Sequence, residues 1–303
     1  MLQTILLATV LPAILASIIL GAATFRSIST RRLDDQPRAS GIWAGGVAVA
    51  VGCIVGYVTL LGYPRFPPID VKQYFPYFAA AACGVGFLEL RLRRASHRAA
   101  TGAVAFALRW LPRTLLIAAV VGLSLRPLVA YSWSTPVAAA WLAGLASAFA
   151  TLWLVMDRLA AAKSEVGATG ACVLVAGGSS AVLMLSGSAS LGLLSGTLAA
   201  VLGMMVLLTI LRRSSGSLRS ATPVVTTVLA TLWLQGYFYS DVPKTAAVLL
   251  FSALPLSWIA LRIWRDGRPE LGILLLRLGS VALPIAAAVF FAWRARPVDD
   301  FYY

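Results

Sequence analysis

Three arginines and one glutamate carry the chemistry that this sequence offers most plainly. Arg109 and Arg113 lie in "GAVAFALRWLPRTLLIAAVVGLSL", and Arg277 lies in "LGILLLRLGSVALPIAAAVFFAW". A guanidinium in such surroundings has little water to satisfy its five N–H groups. It is suited to bidentate binding of a carboxylate or phosphate. The three arginines are therefore the expected substrate-binding residues for an anionic or lipid-like solute. Arg113 follows Arg109 at i+4 and shares its helix face. Glu89, near the end of the preceding apolar run, is the expected charge partner of Arg113, with Arg93 at i+4 as its alternative. A Glu89–Arg113 pair reads as a structural tie ahead of a proton relay. Arg109 and Arg277 have a plainer reading too. Each sits about six residues inside its run, roughly 9 Å deep, from which a long side chain can snorkel to headgroups.

The other reactive residue types do not assemble into a site. Ser179, Ser180 and Ser195 stand among glycines, yet a serine nucleophile needs a base, and the only histidine, His97, falls in a basic loop. Cys53, Cys83 and Cys172 sit singly in apolar runs, where cysteine serves as a small hydrophobe. They form no CxxC pair, so neither a metal site nor a disulfide framework is expected. No glycine-rich loop has the strand–turn–helix setting of a phosphate cradle. No carboxylate falls at the middle of an apolar run, where ion-coupled pumps keep one. The expectations are no enzyme, no cofactor and no metal.

The elements that would position these residues are transmembrane helices. About 20 helical residues span a bilayer core, and ten stretches qualify: Leu2–Phe25, Ile42–Tyr63, Tyr74–Leu90, Ala103–Leu125, Pro136–Met156, Gly167–Ser186, Ser190–Leu211, Thr222–Tyr239, Thr245–Leu261 and Leu271–Trp293. The break at "SGSAS" is short and uncharged, which requires a very tight turn. The first stretch has no basic region before it and no convincing cleavage site, so it reads as a retained helix. Pro112, Pro255 and Pro284 lie inside spans and can kink them. The fold class expected is an all-α polytopic bundle.

Two stretches resemble each other: "IDVKQYFPYFAAAACGVGFLELRLRR" and "SDVPKTAAVLLFSALPLSWIALRIWR". At one offset Asp70, Val71, Ala82, Leu90, Arg91 and Arg94 match Asp241, Val242, Ala253, Leu261, Arg262 and Arg265. At a neighbouring offset Leu108–Arg109 matches Leu276–Arg277, and Ile117–Ala119 matches Ile285–Ala287. The expected organisation is one integral membrane domain with a parallel repeat. Residues 1–131 form the first four-helix unit, 132–189 a central hairpin and 190–303 the second unit.

Composition agrees with the membrane reading. The chain is 60% hydrophobic and 12% charged, with mean hydropathy +0.86, against about 45–50% and about 25% in soluble domains. The formal charge of +14 would suggest nucleic acid in a soluble protein, but here basic residues punctuate apolar runs. With the N-terminus outside, sixteen lie in inside connections and six in outside ones, as the positive-inside rule requires. Both termini are then outside a bacterial inner membrane. The partners expected are the bilayer, an anionic lipid or solute, and other membrane proteins, with no nucleic acid. Two functions follow: a permease-like transporter, or a non-catalytic scaffold or subunit of a larger membrane complex.

Overall fold

A computed structural model describes residues 2–31, 43–99, 102–161, 165–212, 217–263 and 270–296. The described residues form ten helices: α1 (Leu2–Arg31), α2 (Ala44–Leu61), α3 (Phe75–Ala99), α4 (Gly102–Tyr131), α5 (Thr135–Ala160), α6 (Glu165–Leu185), α7 (Ala189–Arg212), α8 (Ser217–Tyr239), α9 (Lys244–Ile263) and α10 (Glu270–Arg294). A short 3-10 turn, Val71–Tyr74, leads into α3. All ten expected spans are helices, and the chain is a helical membrane bundle. The principal difference is length. α1, α3 and α4 run past their apolar stretches, and in α3 the added residues, RLRRASHRA, include leucine, alanine and arginine, which continue a helix readily once it is nucleated.

The helices cross alternately. Cross-helix hydrogen bonds join residues at matching heights on this scheme, as where Gly46 N donates to Ser220 Oγ at the starts of α2 and α8, and Gln235 at the end of α8 donates to the Val71 carbonyl before α3. One end of the bundle carries Arg91, Arg158, Arg219 and Arg262 and is termed the basic face. The other carries stacked rings, including Trp133–Trp141, Tyr74–Phe78 and Tyr57–Phe75, and is termed the aromatic face. Several loop residues counted in the charge pattern, among them Arg32, Arg38, Lys163, Arg213, Arg265 and Arg268, lie outside the described residues. So do the side chains of Arg93, Arg94, His97 and Arg109 and the tail after Arg296.

Among the described residues, eight helices are long and apolar enough to cross a membrane; α9 has a shorter apolar stretch, and α8 is absent from both groups. The reason for α8 is positional. It packs against α2 through α7 and α9, and from Ser220 to Gly236 only Trp233 is more than marginally exposed. A helix shielded from lipid by other helices need not be lipid-soluble. Its threonine hydroxyls donate within the helix, Thr222 to Leu218, Thr226 to Thr222 and Thr231 to Thr227, which meets their need for a partner. Close approach depends on glycine. A Cβ on Gly46 would stand 2.6 Å from the Ser220 carbonyl oxygen, and one on Gly56 would stand 2.4 Å from Thr197 Cγ2.

The break between α6 and α7 is the tight turn expected. Gly187 takes φ 83°, Ser188 N donates to the Leu183 carbonyl and Gly187 N donates to the Met184 carbonyl. That is a Schellman ending, which glycine accepts without Cβ strain.

Candidate functional site

Arg113 sits in α4 three residues inside the apolar span Trp110–Tyr131. Glu89 and Asp157 lie three residues from the ends of the spans Val71–Leu92 and Thr135–Ala160. Three antiparallel neighbours therefore bring their charges to one level, about one turn below the basic face. Arg113 forks onto Glu89, with Nε donating to Oε1 at 2.6 Å and Nη2 to Oε2 at 2.7 Å. Its Nη1 donates to Asp157 Oδ2 at 2.7 Å. Trp110 and Trp153 lie beside the guanidinium, their ring centroids 5.3 and 5.2 Å from its Cζ. Arg113 is 1% exposed, so its charge is desolvated and matched by two carboxylates, as a buried ion needs.

Arg277 reaches the same end of α5 from α10. It is also 1% exposed, and its Nη2 donates to the Leu159 carbonyl in the last turn of α5. Arg219 of α8 donates Nε to the Ala160 carbonyl at 3.2 Å. The final carbonyls of a helix have no partner within it and carry partial negative charge. Two cations thus supply both the hydrogen bonds and the counter-charge that this end of α5 requires. Glu165 performs the mirrored task at α8, accepting from Leu218 N at 3.1 Å.

Of the expected site residues, the structure brings Glu89, Arg113 and Arg277 to one helix end. The side chain of Arg109 lies outside the described residues, and its backbone is in α4. Asp157 is the participant that the sequence pattern did not assign. The sequence reading ended its span at Met156 and began that of Arg113 at Ala103, so only the structure's spans, Thr135–Ala160 and Trp110–Tyr131, set the two at one level. The candidate serines are all engaged: Ser179 Oγ accepts from Trp233 Nε1, while Ser180 and Ser195 donate to the Gly192 and Ala176 carbonyls.

Among the described residues, two cavities lie away from these arginines, neither lined by Arg113 or Arg277. A groove of about 310 Å3 runs between α5, α8 and α9, walled by Trp141, Phe149, Trp233, Phe238 and Phe251, with Lys244 at its aromatic-face end. A smaller cavity of about 220 Å3 opens near the aromatic face, lined by Ile69, Asp70, Val71, Lys72, Pro127, Gln235 and Tyr239.

The outer side of α5 forms a third feature. Ala139, Ala143, Ser147 and Thr151 recur every four residues and all are exposed. Beside them a Cβ on Gly144 would meet nothing within 4 Å. The two hydroxyls on this strip donate to their own helix, Ser147 to Ala143 and Thr151 to Ser147, so the surface is small and self-satisfied.

Compared with known proteins, the chain matches no protein-family model and no curated protein.

Proposed function

We propose that the chain is a non-catalytic subunit of a larger membrane complex, oriented with its basic face toward the cytoplasm. The exposed small-residue strip of α5 carries this reading. Lipid tails gain nothing from alanine and serine in place of leucine, whereas a partner helix gains close backbone approach and extended van der Waals contact. The fixed pairing of Arg113 and the capping by Arg277 support the same reading. Both arginines bond to the end of the helix that bears the strip, Arg113 tying it to α4 and Arg277 to α10.

A photo-crosslinker at Ala143 or Ser147, compared with one at Leu283, tests it. Leu283 is 75% exposed and serves as a lipid-facing control. A discrete protein adduct at the two α5 sites, lost when the other α5 position is changed to leucine, is the supporting result. Lipid adducts alone at all three sites would remove the reading.

A second reading, movement of a lipid-like anionic solute, is favoured by the apolar groove with Lys244 at one end. An acyl chain fits between Phe149 and Phe251 while a phosphate meets the ammonium. Its test is lipid flux in proteoliposomes with Lys244→Ala, Arg109→Ala and Arg277→Ala. Flux unchanged in all three would exclude any role for these cations in it.

A further inference from the structure

The small cavity near the aromatic face has a bonding pattern that specifies its occupant. Gln235 is 1% exposed at its base. Its Nε2 donates to the Val71 carbonyl at 3.1 Å, and its Oε1 is buried with no hydrogen-bond partner. Leaving a buried acceptor unmet is costly, so such atoms mark places where another molecule completes the bonding.

The Tyr239 hydroxyl and one of the three N–H groups of Lys72 are already committed. Tyr239 donates its hydroxyl to the Ser124 carbonyl at 2.7 Å, and Lys72 Nζ donates to Ser190 Oγ at 3.3 Å. The acceptors are not. Asp70 stands exposed on the rim, and among the described residues no ion pair engages its carboxylate. The loop that carries it is fixed, since Gln73 Oε1 accepts from Ile69 N and Gln73 N donates to the Asp70 carbonyl. A neutral acceptor at the base and an anionic one at the mouth call for a positively charged donor. Ile69, Val71 and Pro127 supply apolar walls for a short carbon chain.

We infer that this cavity binds the ammonium group of a small solute, with N–H donated to Gln235 Oε1 and the charge held by Asp70. Lys72, on the rim, accommodates a carboxylate when the solute is an amino acid. The inference is independent of the α5 interface and holds for a subunit or a transporter.

The test is thermal stability of the protein in lipid nanodiscs, titrated with ethylamine, L-alanine and trimethylglycine. Trimethylglycine keeps charge and carboxylate but has no N–H. The expected result is saturable stabilisation by L-alanine, with or without ethylamine, and none by trimethylglycine. Asp70→Asn, an exposed change that keeps the loop, is expected to weaken binding about tenfold or more, the usual effect of losing a charged hydrogen bond. Gln235→Leu should do likewise. No response to either N–H-bearing probe, which leaves water as the occupant, would overturn the inference. So would equal stabilisation by trimethylglycine, or unchanged binding in Asp70→Asn.

Discussion

Arg113 shows how one residue organises its surroundings. A lone guanidinium in hydrocarbon is costly, so its placement among two carboxylates and two indoles determines the packing of α3, α4 and α5 together. Glu89→Gln leaves Asp157 to neutralise the arginine alone and forfeits the fork. A loss of about 3–5 kcal/mol is expected, as for other broken buried pairs, read from the thermal midpoint in nanodiscs. The triple change Glu89→Leu, Arg113→Met and Asp157→Leu should recover most of it, because no charge then remains buried. The Glu89–Arg113 tie was legible in the sequence from opposite charges near adjacent span ends. Asp157 was not, since its neighbour Arg158 offered an equally simple local pairing and only the helix register shows which side chain turns inward. Gln235 was less visible still: a single amide in an apolar run says nothing until the atoms around it can be counted.

At the scale of elements, the helices were legible because about 20 apolar residues admit little else in a bilayer. Their ends were less so. α3 and α4 continue beyond the apolar stretches, and apolarity says where lipid ends rather than where helix ends. α8 illustrates the opposite limit, since it is surrounded by helices and falls short of the apolarity of the eight long spans. Packing at its entrance makes a sharp contrast possible. Gly46→Ala drives a methyl group against the Ser220 backbone, so a loss of about 1–3 kcal/mol is expected. Gly84→Ala meets nothing within 4 Å and gains helix propensity of up to about 1 kcal/mol. Thermal midpoints of the two variants should move in opposite directions; a shared drop would mean that the α2–α8 contact is not the limiting one.

At the scale of the whole molecule, the described cations divide between the two faces. Arg91, Arg158, Arg219 and Arg262 lie at one face and Arg65, Lys72, Arg126, Lys244, Arg294 and Arg296 at the other, and the cation-capped end of α5 lies just beneath the first. In a cysteine-free background, single cysteines at Tyr63 and Tyr131, which are 89% and 90% exposed, should react with an impermeant thiol reagent added outside intact cells. One at Arg158 should react only after permeabilisation. The reverse pattern would invert the orientation while leaving the fold intact. A subunit differs from a self-sufficient transporter in what leaves the membrane with it. The decisive measurement is the mass of the particle excised with its native lipids, without detergent, for the natural chain and for Ala143→Leu with Ser147→Leu. The expected result is a particle containing more protein than the 32.0 kDa chain, reduced to that chain alone in the double variant. A single 32.0 kDa chain in both preparations would contradict it.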